Sequence, residues 1–288
     1  MISLRYLKIF YSRLIFNKLV PVIWEIKSNY IFSELSCTIL PLLLLRRPVR
    51  YLSLIVKGDQ CLVFDKRTRK TNRILTRNRF TRIASCGGFE ETGIYLAKVY
   101  KIDINKQIDS YLEIGPNIGE LTSLIIARCQ PRNVCLVEAD QLALDCLNYN
   151  LKNLSSKSIK ILKAFASQKT GFQESQSASE DASSSLFLDD KHIGNRKFIE
   201  TIRLDEYLPE IFDNKTIDLV KIEAEGYEPE VLLGMQGYLC HIKSIVIDCG
   251  PERGGDTTYD SCSKILLQEG FRTLMSGNYL FAERSESA

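Results

Sequence analysis

Ser110-Tyr-Leu-Glu-Ile-Gly-Pro-Asn-Ile-Gly-Glu-Leu-Thr122 changes its hydrophobic period half-way along, and that change decides the fold. Tyr111, Leu112 and Ile114 make an apolar run of buried-strand type, interrupted by Glu113 just before a turn. Gly115 and Gly119 remove side chains where the backbone must bend and where another group must approach closely. From Ile118 the spacing is helical: Ile118, Leu121, Thr122, Ile125 and Ile126 share one face. A strand ending in an acid, then a glycine turn onto a helix N-terminus, is how doubly wound α/β folds hold a nucleotide-like ligand.

The glycine spacing narrows the ligand. A pyrophosphate-binding turn needs Gly-x-Gly-x-x-Gly. Here Pro116, Asn117 and Ile118 separate the two glycines, so the dinucleotide fingerprint is absent and a nicotinamide oxidoreductase is excluded. The Glu-x-Gly-x-Asn-x-Gly form instead resembles motif I of class I methyltransferases, which bind S-adenosylmethionine. That resemblance implies that the acid and the turn meet the amino-acid end of the cofactor. A tight strand-to-helix crossover with no ligand carries the same punctuation.

Downstream the chain alternates strand and helix, the pattern of a parallel sheet with crossovers. Strands are expected at 133–137, 159–162, 217–222 and 244–247, with a closing pair near 271–274 and 279–282. Asp140 is placed to cap a helix through Leu142, Leu144, Leu147 and Leu151. Further helices are expected from Glu228 to about Met235 and around 262–267. Residues 172–190 are rich in Ser, Gln and Glu and read as a mobile polar loop.

Upstream, residues 52–56 and 61–64 flank Lys57-Gly-Asp-Gln60, a hairpin signal. Lys66-Arg-Thr-Arg-Lys70, Arg73, Arg77, Arg79 and Arg82 form a basic run. It reads either as a solvated loop or as a contact for an anionic substrate or carrier. Cys86-Gly-Gly-Phe-Glu-Glu91 then precedes an apolar helix through Ile94, Leu96, Ala97 and Val99. Residues 1–20 are apolar and basic without one acid, suited to packing on the protein or to peripheral contact with a membrane surface. The apolar run at 38–45 is broken by Pro41 and far too short to span a bilayer. The expected division is an N-terminal helical and hairpin appendage over 1–100 and a catalytic domain over 101–288.

Composition bounds the classes. The 288 residues, 45% apolar and 25% charged, suit a globular chain with a full core, and a net charge of +3 argues for no nucleic-acid partner. Nine cysteines without a Cys-x-x-Cys pair read as reduced thiols of a cytoplasmic protein. Two distant histidines leave no zinc spacing, so no metal is expected.

Two stretches carry the chemistry. Glu138 ends the second strand nineteen residues after Gly119, where an acid can accept hydrogen bonds from both ribose hydroxyls of a nucleoside. Lys221-Ile-Glu-Ala-Glu-Gly-Tyr-Glu228 sets a lysine and three acids at and beyond a strand's C-terminal end. Burying Lys221 in an apolar strand is costly unless it pairs, and Glu223 lies on the same face two residues on.

Together with Thr201, Leu204-Asp-Glu-Tyr207 and Val231-Leu-Leu-Gly-Met235, that segment resembles the FkbM family of methyltransferases over roughly residues 85–285. Glu113 and Glu223 stand where that family usually has Asp. The resemblance implies a doubly wound, mostly parallel seven-stranded α/β sheet, Rossmann-like, with a small N-terminal α/β appendage. It implies S-adenosylmethionine as cofactor, held by Glu113, Gly115, Asn117, Gly119, Glu138, Ala139, Ala164 and Phe165. The reaction it implies is methylation of a hydroxyl on a sugar, glycan or natural product. Glu223 is the first candidate to orient or deprotonate the acceptor and Glu225 the second, with Lys221 holding the acid and His192 a further base. Asp248-Cys-Gly-Pro-Glu252 is placed to line the acceptor pocket. A glycosyltransferase would want an Asp-x-Asp metal motif, and no strand end carries one. A catalytically inactive partner protein on the same fold is the rival reading, separated from the enzyme by cofactor binding.

Overall fold

A computed structural model describes residues 51–58, 60–154, 158–178, 183–185 and 196–284. The expectations for residues 1–20, for the 38–45 run and for His192 lie outside those residues. The chain divides into two compact units, one ending at Thr92 and one beginning at Gly93.

In the first unit β1 (Leu52–Lys57), β2 (Gln60–Asp65) and β3 (Lys70–Ile74) form an antiparallel sheet in that order. The expected hairpin is there, with Lys57 opposite Gln60. The basic run is not one solvated loop. Only residues 66–69 turn; β3 pairs with β2, and α1 (Arg77–Cys86) follows. The reason lies in the apolar residues within the run: Ile74, Phe80, Ile83 and Ala84 are all buried, the last three at helical spacing.

The second unit begins within α2 (Phe89–Val99) and is built on a seven-stranded sheet. Its strands are β4 (Ser110–Ile114), β5 (Asn133–Val137), β6 (Ser158–Leu162), β11 (Ile217–Ile222), β12 (Ile242–Asp248), β13 (Phe271–Ser276) and β14 (Tyr279–Arg284). They run in the order β13-β14-β12-β11-β4-β5-β6, and β14 alone is antiparallel to its neighbours. This is the doubly wound, mostly parallel sheet expected. Alternate residues feed two cores. Leu112, Ile114, Val220, Ile222, Ile245 and Ile247 face one core with α5 (Leu208–Ile211), α6 (Glu228–Leu233) and α7 (Tyr259–Gln268). Tyr111, Val134, Leu136 and Val246 face the other, with α3 (Glu120–Cys129) and α4 (Gln141–Leu151). Successive strands go one way from β4 through β5 and the other way from β11 through β12. The crevice beyond the C-terminal ends of β4 and β11 is therefore the switch point where such sheets bind ligands.

The polar stretch at 172–190 departs from expectation. Its described residues are β8 (Gly171–Ala178) and β9 (Ser183–Ser185), which pair with each other. β8 also pairs with β10 (Arg196–Ile202), and β10 with the short β7 (Phe165–Ala166). Polar composition signals solvent on the side chains, and an antiparallel ribbon allows that while its backbone stays paired. Phe172 and Phe198 are indeed exposed there.

Candidate active site

The turn after β4 is left-handed at three residues, with φ of +71° at Gly115, +51° at Asn117 and +86° at Gly119. A Cβ on Gly115 would lie 2.2 Å from the Glu223 carbonyl oxygen, so only glycine lets the ends of β4 and β11 close together. Asn117 tolerates its conformation because its short amide bonds locally: Oδ1 accepts the Ile118 N–H at 2.9 Å. A Cβ on Gly119 would lie 2.7 Å from Leu147 Cδ1, so α3 begins hard against α4.

Glu138 ties that turn to the next strand end. Its Oε2 accepts the Asn117 N–H and its Oε1 the Asp140 N–H, each at 2.9 Å. Asp140 in turn caps α4, accepting from Leu142 and Ala143 N–H. A carboxylate has about four lone-pair sites, so Glu138 keeps acceptor capacity beyond these bonds. Burial pushes this carboxyl up to about 7 against those hydrogen bonds. Ala139 is half-buried beside it. Ala164 and Phe165 are buried beyond the end of β6, with the Phe165 ring edge-on to Tyr227 at 5.5 Å.

Across the switch point a buried lysine sits between carboxylates. Glu113 and Lys221 are register partners on β4 and β11, 1% and 2% exposed. Lys221 Nζ lies 3.6 Å from Glu113 Oε1 and 2.7 Å from Glu223 Oε2, and donates to the Gly115 carbonyl at 2.9 Å. Glu113 Oε2 accepts from the Thr122 hydroxyl at 2.6 Å. Glu113 is thus enclosed, and its charge reaches the turn through Lys221. Burial works against a charged lysine, but the Glu223 and Glu113 carboxylates override it and hold Lys221 protonated. Glu223 is the open member, its side chain 40% exposed. Its Oε2 also accepts from the Tyr100 hydroxyl at 2.9 Å. Burial and the nearby Glu223 and Asp248 charges push Tyr100 well up, so it stays a phenol that donates.

A sequence model of the methyltransferase FkbM domain matches residues 113–272, more than half of the chain. The chain belongs to the FkbM methyltransferase family. S-adenosylmethionine is its cofactor. The left-handed turn and the bonded carboxylate of Glu138 are chemically fit for it. A search of curated proteins finds no match. Among solved structures the FkbM chain is similar to precorrin-6y C5,15-methyltransferase of Geobacter metallireducens, at 12% identity and a TM-score of 0.40, covering 65% of this chain and 86% of that one. It is similar to magnesium protoporphyrin IX methyltransferase of Synechocystis with bound S-adenosylmethionine, at 11% identity, TM-score 0.39 and coverages of 68% and 79%. A third is TrmK of M. capricolum in complex with S-adenosylhomocysteine, at 11% identity, TM-score 0.37 and coverages of 66% and 68%.

The other acids of the FkbM segment divide by task. Glu228 is fully buried and structural: Oε1 accepts from Ala224 and Gly226 N–H, and Oε2 from the Thr258 hydroxyl at 2.8 Å. It shapes the loop in which Glu225 stands at a φ of +51°. Burial, then the surrounding negative charge, pushes Glu225 up to about 7, Asp248 to about 6 and Glu252 to about 8. Among the described residues no group of three or more His, Cys, Asp or Glu could hold a metal ion. Thr201 and Leu204 are buried, and Asp205 fastens the loop after α6 through Asp205 N–H to Gly234 O at 2.9 Å and Gly237 N–H to Oδ2 at 3.2 Å. That motif builds the scaffold rather than the crevice. No described helix is long and apolar enough to cross a membrane.

These raised carboxyls set a pH dependence. Glu138, Glu225, Asp248 and Glu252 all titrate higher in the native chain than in the unfolded one. The native state therefore binds the extra protons, and their contribution to stability falls as pH rises from about 5 to 8. The ligand-free protein should melt at least ~3 °C higher at pH 5.5 than at pH 8, equivalent to about 1 kcal/mol for a unit of this size. Calorimetric scans at the two pH values check this, and a higher melting temperature at pH 8 would contradict the crowding of acids described.

Proposed function

We propose that the chain O-methylates a hydroxyl of a sugar, glycan or natural product, with Glu223 as the base that orients and deprotonates the acceptor. The observation that carries this is one carboxylate, 40% exposed, held by Lys221 and Tyr100 on a residue whose backbone packs against the Gly115 turn at the C-terminal end of β11. S-adenosylmethionine, when bound, supplies an activated methyl on a cationic sulfonium. The protein's share is alignment and proton removal. Gly115, Asn117 and Gly119 would shape the turn for the amino-acid end, and Glu138 would accept hydrogen bonds from the ribose hydroxyls. Ala139, Ala164 and Phe165 flank the adenine side. Lys221 cancels part of the negative charge and locks the Glu223 carboxylate in one orientation. Tyr100 adds a second donor to the same oxygen, and the 40% exposed carboxylate is the group that takes a proton from the acceptor. Glu225 and Asp248 lie close enough to feel the Glu223 charge, and the negative charge they add favours a positively charged donor.

Labelled S-adenosylmethionine offered with a panel of sugars, glycans and hydroxylated natural products tests the reading, with products identified by mass spectrometry. A methyl ether supports it; methyl transfer only to nitrogen or carbon acceptors overturns it. Cofactor binding separates enzyme from inactive partner. Wild type should bind S-adenosylhomocysteine in the micromolar range, about −8 kcal/mol. Glu138→Ala should weaken that by about ten- to hundredfold through lost charge-assisted hydrogen bonds. Titration calorimetry with no heat for the wild type would end the enzymatic reading.

A further inference from the structure

The near-neutral total conceals a split in charge. Up to Thr92 the chain carries 17 Lys and Arg against 6 Asp and Glu; from Gly93 it carries 21 against 29. The first unit is therefore +11 and the second −8. We infer that the basic β2–β3 turn of the first unit is a docking surface for an anionic lipid bilayer.

Residues 66–70 are all exposed. Arg67 is already committed: its Nη2 meets Asp65 Oδ2 at 2.6 Å and the Gly87 carbonyl at 2.8 Å, and its Nη1 meets Glu91 at 2.8 Å. That clamp fixes the turn and leaves Lys66, Arg69 and Lys70 around it in water, with no ion pair among the described residues. Arg69 holds a φ of +56°, a conformation that Gly or Asn would adopt at lower cost, so a cation stands where the backbone favours an uncharged residue. Exposed unpaired cations on a fixed turn are suited to phosphate-bearing surfaces.

Two observations favour a bilayer over RNA. Tyr51, 45% exposed, lies at the same end of the sheet, where its carbonyl accepts the Lys66 N–H at 2.8 Å. A single amphipathic ring beside cations suits the headgroup level of a membrane, whereas single-stranded RNA is bound by successive stacking aromatics along a groove. Residues 1–50, which precede Tyr51 in the sequence, are rich in Leu and Ile and carry eight Lys and Arg against two Glu. Apolar and basic residues joined to a basic turn are the composition of a bilayer-surface contact.

Vesicle flotation of the full chain tests this, using phosphatidylcholine alone and phosphatidylcholine with about one third phosphatidylglycerol. The protein should float with the charged vesicles only, and less as salt is raised to about 0.5 M. Lys66→Ala/Arg69→Ala/Lys70→Ala should weaken binding by about a hundredfold, roughly fivefold for each cation. Its melting temperature should be unchanged, since none of the three makes an ion pair among the described residues. The proposal is overturned if the triple variant floats like wild type, which would assign the binding to residues 1–50. Equal flotation with neutral vesicles overturns it too, as does tight binding of a single-stranded RNA oligonucleotide, read by anisotropy, without vesicle binding.

Discussion

Glu223→Gln is expected to lower turnover by about a hundredfold or more and to leave the affinity for S-adenosylhomocysteine within about twofold, the pattern of losing a general base. The amide keeps the shape of the side chain and its position at the end of β11. What it loses is the charge that Lys221 and Tyr100 converge on, at 2.7 and 2.9 Å from one oxygen. Cofactor affinity should hold because Glu138 and the glycine turn are made by β4, β5 and backbone groups that the substitution does not touch. Glu223→Asp, which restores the residue usual in the family, should retain activity. Tyr100→Phe removes only the second donor, so it should shift the acid limb of the pH–rate profile upward while costing less than Glu223→Gln. The measurements are initial rates of methyl transfer to the acceptor and calorimetric titration. A Glu223→Gln enzyme at wild-type rate would move the base to Glu225 or Asp248, whose carboxyls lie close enough to feel Glu223.

How much of this site could be read in the sequence follows the distance over which each signal acts. The strand, turn and helix at 110–122 are local, written in a switch of period and two glycines, and the structure keeps all three, with the helix opening at Glu120 rather than at Ile118. Lys221 and Glu223 are two apart on a strand, so their contact follows from the pleat alone. The pairing of Lys221 with Glu113 needs the register of β11 on β4, which nothing in either strand announces. Tyr100 reaches Glu223 across 123 residues of chain from just past the end of α2, and in the sequence it is one more aromatic closing an apolar helix. The strand β3 and the β8–β10 ribbon were hidden for another reason. Their composition is polar or basic, and composition reports what side chains face, not whether the backbone is paired.

Lys221→Met is expected to cost about 3 kcal/mol or more at pH 8, the size typical of breaking a buried pair by removing one partner. The lysine sits in the row Leu136, Glu113, Lys221, Val246, closed on both sides by apolar strands. Without it Glu113 loses its cation and keeps neutral hydroxyl partners such as Thr122, the Gly115 carbonyl loses its donor, and Glu223 loses its closest partner. Burial already pushes Glu113 up against the pull of Lys221, and removal of that pull raises it further. The variant's native state therefore takes up a proton at higher pH than the wild type, so its deficit should shrink as pH falls from 8 to 6. Lys221→Met/Glu113→Gln removes both charges from the buried row. It should recover most of the stability, because an uncompensated buried charge, not a missing contact, is what the single variant suffers. It should not recover turnover, since Glu223 still lacks its cation. Denaturant titrations at the two pH values, set beside methyl-transfer rates, separate the two roles of the lysine. A single variant losing under about 1 kcal/mol at pH 8 would mean that Glu113 is neutral in the native protein and that Lys221 serves Glu223 alone.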